Sequence, residues 1–193
     1  MAGVRHHDPQ RAWKGYTLYS ETFREEAGED RPIFLIDMDG QVVHQWNART
    51  TVQSYMQLLP NGHLIYPTHD RSDVAKGPFG LYELDPEGNV VWSFRCRTDH
   101  DFQVLANGNI LVHCITENFW PALGPEMKRQ PYMVEINRNK ELLWEWRGEE
   151  HLEELRRLLG PRRWDHVMDR ATGEFAFDWA HNNTLQVLSL IHI

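Results

Sequence analysis

One feature constrains this chain more than any other: it repeats itself. Leu35-Ile-Asp-Met-Asp-Gly-Gln-Val-Val-His-Gln-Trp46 recurs as Leu81-Tyr-Glu-Leu-Asp-Pro-Glu-Gly-Asn-Val-Val-Trp92, and again as Met133-Val-Glu-Ile-Asn-Arg-Asn-Lys-Glu-Leu-Leu-Trp144. The closing tryptophans lie 46 and 52 residues apart. Each copy alternates apolar and polar residues, turns, and alternates again, which is the pattern of a β-hairpin. Asp39-Gly40, Pro86-Glu87-Gly88 and Arg138-Asn139-Lys140 supply the turn residues. A second hairpin pattern precedes the later copies. Tyr55-Met-Gln-Leu-Leu-Pro-Asn-Gly-His-Leu-Ile-Tyr66 recurs as Asp101-Phe-Gln-Val-Leu-Ala-Asn-Gly-Asn-Ile-Leu-Val112. Asn61-Gly62 and Asn107-Gly108 are strong hairpin signals. Hairpin, loop, hairpin gives four antiparallel strands per period. A period of about 40–50 residues with four strands is that of a β-propeller blade. A β-sandwich, the competing architecture, has no reason to repeat the same turn residues at a fixed spacing.

The expected fold is therefore all-β: a single incomplete propeller domain over residues 1–193, with about three four-stranded antiparallel blades present. Residues 15–53 form a partial first blade, 54–97 the second and 98–147 the third. Residues 148–182 form an insertion between blades, with one helix at 149–159. Leu152, Leu155, Leu158 and Leu159 fall at helical spacing there, and Gly160-Pro161 is expected to end the helix. Residues 183–188 open a fourth blade, because Thr184-Leu-Gln-Val-Leu188 matches Asp101-Phe-Gln-Val-Leu105. The last six residues, Leu188-Ser-Leu-Ile-His-Ile193, read as the direct translation of CTG-TCT-CTT-ATA-CAC-ATC, the mosaic end of a common transposase sequencing adapter. The natural protein is expected to depart from this chain near Val187 or Leu188 and to continue into further blades.

Composition narrows the function classes. Lys plus Arg is 20 against 28 Asp plus Glu, a formal charge of −8. That balance argues against a nucleic-acid binder, which presents a basic surface. No apolar run is long enough to span a membrane. The two cysteines, Cys96 and Cys114, are too few for a disulfide framework and are expected to be buried free thiols. The polar start carries His6, His7 and Asp8 with no apolar stretch behind it, so a cytoplasmic location is expected, or a periplasmic one if the true start lies upstream.

In a propeller, the loops after the second and fourth strands of each blade share one face. Here those are the long ones: Thr68 to Phe79, Thr116 to Gln130, and Gly148 to Ala180. Function gathers on long loops held by a rigid scaffold. Three segments bring polar groups to that face: Thr98-Asp-His-Asp101, Asp178-Trp-Ala-His-Asn-Asn183 and Thr68-His-Asp-Arg71. Histidines there can bind an anion as imidazolium or act as acid, base or nucleophile near neutral pH. His100 and His181 are the catalytic candidates; Asp101, Asn183, His69 and Arg71 are the substrate-binding candidates. No short-spaced ligand pair supports a zinc site, and no metal or other cofactor is expected. His113 is expected to be packed, and His44 and His63 to lie at the surface. Trp46, Trp92 and Trp144 are expected to fill the core between blades.

The set Leu35-Ile-Asp-Met-Asp-Gly, Leu58-Leu-Pro-Asn-Gly, His100-Asp101 followed by Ala106-Asn-Gly-Asn109, and Asp178-Trp-Ala-His-Asn-Asn183 resembles the bacterial arylsulfate sulfotransferase (ASST) propellers, over about Gly15 to Leu188. The hairpins are shared by many propellers; the Asp-Trp-x-His-x-Asn element is more specific. The resemblance implies six blades. It implies sulfuryl transfer from a phenolic sulfate ester to a phenol through a sulfated histidine, with no nucleotide sulfate donor. It carries over to His100 and to His181 with Asn183 as sulfate-binding and polarising positions. The family's arginine and nucleophilic histidine match no residue of this chain, which is expected to be inactive alone. The implied partners are small aryl sulfates and phenols, with no nucleic acid and no membrane; the oligomeric state is open. The alternatives are a non-catalytic propeller that binds a ligand or protein on the same face and, more remotely, a quinoprotein-like dehydrogenase.

Overall fold

The computed structural model describes residues 4–20, 31–48, 52–68, 79–172 and 178–188. The described residues form three antiparallel sheets and one long helix. The first sheet has three strands in the order β1 (Thr17–Ser20), β2 (Arg31–Ile36), β3 (Val42–Ala48). The second has four: β4 (Gln57–Leu58), β5 (Leu64–Pro67), β6 (Leu81–Leu84) and β7 (Val90–Phe94). The third has four: β8 (Thr98–Val104), β9 (Ile110–Phe119), β10 (Met127–Ile136) and β11 (Leu142–Arg147). Every strand pairs with its neighbour in sequence, so each sheet is a meander, as the repeat predicts. The chain divides into two compact units, residues 1–95 and 96–193.

Five hairpins close with one turn geometry. In each, the first residue's amide bonds the carbonyl four residues on: Asp37 to Gln41, Leu59 to His63, Asp85 to Asn89, Leu105 to Asn109 and Asn137 to Glu141. The residue three along donates back to the first and sits at positive φ: Gly40 (78°), Gly62 (84°), Gly88 (85°), Gly108 (83°) and Lys140 (69°). This is a type I turn followed by a left-handed residue, the geometry of a three-residue hairpin loop. The Asn-Gly pairs are thus the last two residues of that loop rather than the centre of a two-residue turn. Side-chain oxygens brace the turns: Asp37 Oδ1 accepts from the amides of Asp39 (3.0 Å) and Gln41 (2.8 Å), and Asn137 Oδ1 from those of Asn139 and Glu141 (both 3.0 Å). Hydrogen bonding from the Asn89 side chain, with its amide and that of Glu87, holds the Asp85 carboxyl below the usual range.

Within residues 1–95, the first and second sheets share one core. Ile33, Trp46 and Ala48 pack with Val52, Leu64, Tyr66 and Leu84. The contact is specific as well as apolar. Trp46 Nε1 donates to the Asp85 carbonyl at 3.1 Å, and His44 Nε2 hydrogen-bonds the Pro86 carbonyl at 2.9 Å. The His44 ring meets the Trp46 ring edge-on at 4.2 Å. His44 is therefore half-buried, holding the second sheet's turn, rather than on the surface. His63 is also half-buried, with Nδ1 2.7 Å from Glu83 Oε1. The tryptophan series is not uniform: Trp46 is buried, Trp92 half-buried and Trp144 45% exposed. Cys114 is buried, whereas Cys96 is only partly so; neither forms a disulfide.

Residues 96–193 depart from expectation in two places. The segment Thr116 to Gln130 is no loop: β9 and β10 stay paired out to Phe119 opposite Met127, with a short 3-10 turn at Pro121–Leu123. Polar residues dominate the outer part of this ribbon, which masks the strand pattern. The helix also runs further than 149–159. A 3-10 turn at Gly148–His151 leads into α1 (Leu152–Thr172), kinked at Gly160, whose φ is 72°. Pro161 follows the kink, where a new helical segment begins and a proline's missing amide costs nothing. Trp164, Val167, Met168 and Ala171 then carry the apolar stripe onward. They pack with Leu123, Leu152 and Trp179 in a second core.

Candidate functional site

The third sheet builds the site. Thr98 pairs with Cys114 and Phe102 with Val112, so four steps along β8 oppose two along β9. Asp99-His100-Asp101 therefore forms a two-residue bulge opposite His113. Bulges re-aim side chains and recur beside active sites. His100 sits at φ 63° and is partly exposed. Its Nε2 lies 3.5 Å from the carboxylate of Asp99, which is 7% exposed. Behind the bulge, His113 is buried, and that burial holds its imidazole below the ordinary histidine range, against the opposing pull of Asp99.

Three consecutive residues of β10 hold the segment that brings the second histidine. Lys128, itself buried, donates from Nζ to the Ala171 carbonyl at 2.8 Å, at the C-terminal end of α1, where a cation is favoured. Gln130, fully buried, accepts from Trp179 Nε1 at 2.8 Å. Between them Arg129 reaches within 3.6 Å of the Asp178 carboxylate. From this anchored stretch the chain turns at His181, at φ 44°. His181 Nδ1 lies 2.6 Å from Asp178 Oδ2.

Asp101 draws the two parts together. Its Oδ1 accepts from the Phe102 amide at 2.8 Å, and its Oδ2 from the Thr184 hydroxyl and the Leu185 amide, both at 3.0 Å. Gln103 repeats the contact, its Oε1 accepting from the Val187 amide at 3.0 Å. Leu185 on Asp101 and Val187 on Gln103 set residues 184–188 alongside β8 in the same direction. The result is a face-to-edge pair of histidines, His100 and His181, with ring centroids 6.3 Å apart and planes at 62°. Both hold left-handed backbone, which costs a residue with a Cβ about 1–2 kcal/mol. Strain of this kind persists where surrounding structure enforces it, and it clusters at functional sites.

Of the residues expected from sequence, His100, Asp101, His181 and Asn183 fall in this one region, with Asn183 exposed two residues beyond His181. The Asp101 carboxylate spends its hydrogen bonds on the protein, so its visible work is to hold the pair together. His69 and Arg71 lie outside the described residues. Asp99, Arg129 and Asp178 belong to the site and carried no role in the sequence reading. Lys128-Arg129-Gln130 escape the sequence reading because, although they lie within β10, their run of long polar side chains reads as the end of a loop. No group of three metal-ligating side chains occurs among the described residues.

Searched against curated proteins, the chain finds no match. A family model does match: arylsulfotransferase (ASST), over residues 6–189. That match spans all three sheets, the bulge at His100 and the segment of His181, and on it the chain belongs to the arylsulfotransferase (ASST) family, a family of sulfotransferase enzymes.

Proposed function

We propose that this chain is part of a β-propeller arylsulfate sulfotransferase that moves a sulfuryl group from a phenolic sulfate ester to a phenol. One observation carries the reading beyond the family: two partly exposed histidines, both on left-handed backbone, meet at 6.3 Å. In the first half-reaction a histidine nitrogen attacks sulfur, an N–S bond forms, the S–O bond to the donor phenol breaks, and the leaving phenolate takes a proton. In the second, the acceptor phenol's oxygen attacks the same sulfur, its proton passes to a base, and the N–S bond breaks. Negative charge grows on the leaving oxygen and is spread over the sulfonyl oxygens. Fixed N–H donors and imidazolium groups stabilise such a state. His100 and His181 supply those donors and exchange the phenolic proton. Asn183 adds an amide donor from the same segment. We assign the attacking nitrogen to neither histidine but to a further repeat of the complete protein, so residues 1–187 alone are expected to be inactive.

The test is acceptor-dependent release of nitrophenolate from 4-nitrophenyl sulfate by the protein expressed from its complete reading frame. His100→Asn and His181→Asn should each lower kcat/KM by about 10²–10⁴-fold, the range for a lost acid–base group. Unchanged transfer in both variants would remove the pair from the chemistry. Transfer by residues 1–187 alone would refute the placement of the nucleophile.

A further inference from the structure

The segment that presents His181 also fixes which of its nitrogens is free, and this inference rests on His181 being a residue of the sulfuryl-transfer site. A neutral imidazole carries its proton on either nitrogen, and the hydrogen bond made by one decides the role of the other. His181 Nδ1 lies 2.6 Å from Asp178 Oδ2, and a carboxylate can only accept. The proton of neutral His181 therefore sits on Nδ1, and Nε2, across the ring, keeps its lone pair. Asp178 cannot swing away easily: Trp179, the next residue, is 3% exposed and tied through Nε1 to the buried Gln130. Asp178 alone would also work against the proposed reaction, since a carboxylate beside the site repels a sulfate ester. Arg129, 20% exposed and 3.6 Å from the same oxygen, offsets that charge. The Arg129–Asp178–His181 set is neutral when the imidazole is neutral and positive once it is protonated.

We propose that Asp178 and Arg129 are the positioning residues of His181: Asp178 holds its Nδ1–H so that Nε2 faces the phenolic oxygen, and Arg129 keeps Asp178 in place and its charge balanced. In use, Nε2 takes the proton from the acceptor phenol as that oxygen bonds to sulfur. That proton passes from Nε2 to the leaving phenolate when the next donor reacts, so His181 enters the donor step as imidazolium and the acceptor step neutral. Neither Asp178 nor Arg129 touches substrate in this arrangement.

The experiment is a long-range ¹H–¹⁵N correlation spectrum of the full chain labelled at histidine, at a pH above about 8, where an unperturbed imidazole is neutral. His181 is expected to show a protonated Nδ1 and an unprotonated Nε2. Asp178→Ala should abolish that preference and Arg129→Gln should weaken it. A wild-type His181 protonated on Nε2, or an Asp178→Ala chain that keeps the Nδ1–H form, would overturn the proposal. The wild-type spectrum decides even if the variant fails to fold. In the complete protein, Asp178→Ala should lower kcat by up to about 10⁴-fold, the size of loss when a histidine loses the carboxylate that sets its tautomer, with KM little changed. A fall in KM affinity alone would contradict the positioning role. The spectrum needs no sulfate donor, so an Nδ1–H His181 in a protein that transfers no sulfuryl group would sink the enzymatic reading and leave the positioning intact.

Discussion

Trp46 and Trp144 hold the same place in the repeat, yet the structure assigns them different weights, and that difference can be measured. Trp46 is 3% exposed, lies in the core shared by the first two sheets, and donates to the Asp85 carbonyl at 3.1 Å. Burying a tryptophan removes about 200 Å² from water. At about 25 cal/mol/Å² that gives about 5 kcal/mol, at the upper end of the ~3–5 kcal/mol found when a buried tryptophan becomes alanine. Loss of the indole hydrogen bond adds about 1 kcal/mol. Trp144 is 45% exposed, and Leu142 and Leu143 beside it are 53% and 52% exposed. Truncating it opens no enclosed cavity, and about half of the side chain's area was already in water. Trp144→Ala should therefore cost about 2–3 kcal/mol. Each variant is unfolded in urea, with amide exchange following β2 and β3 for one unit and β10 and β11 for the other. With a slope of about 2 kcal/mol per molar urea, Trp46→Ala should shift the midpoint of its unit by about 3 M, and Trp144→Ala by about 1 M. Equal shifts would mean that the indole's contacts with the second sheet contribute little and that the repeat position, not its surroundings, sets the cost.

Three further outcomes follow from particular residues. Lys140 occupies the left-handed position that glycine takes in the other four turns, so Lys140→Gly should stabilise the chain by about 0.5–1 kcal/mol in urea unfolding. His113 is held below its ordinary value of 6.5 by burial, so the folded state resists its protonation; stability is intact above that pH and falls as pH drops below it. Between pH 8 and 5 the urea midpoint of His113→Gln should fall less steeply than that of the parent; parallel curves would refute this. Asp101→Ala removes the acceptor of the Leu185 amide, and that amide should exchange about 10–100-fold faster, as expected for loss of a hydrogen bond to a charged group, while the Val187 amide on Gln103 changes less.

Much of this was legible in the sequence because it is local. A turn's chemistry lies within five residues, so the five hairpins and their glycines could be read directly. The strand pairing followed, since each sheet is a meander of consecutive strands. His100 and His181 stand out as candidates in the sequence because each precedes a strand-like segment that repeats. What escaped depends on partners distant in sequence. The bulge at Asp99-His100-Asp101 exists only as a mismatch with β9, and no single strand displays it. Glu117, Asn118, Lys128 and Arg129 read as loop residues because a ribbon extending past the main core need not alternate cleanly. Gly160-Pro161 stops most helices, but here a left-handed glycine and a proline in the first position of a new segment let the helix resume. The grip of His44 on Pro86 depends on how the first two sheets pack together.

In the proposed reaction His100 and His181 together receive an aryl sulfate. The most direct measurement is a titration of the histidine-labelled chain with 4-nitrophenyl sulfate, following every imidazole. The His100 and His181 signals should move along one saturable curve, while His6, His63 and His166 stay still. If His100 and His181 remain fixed at donor concentrations where the complete protein transfers sulfuryl groups, the site lies elsewhere and the claim is wrong.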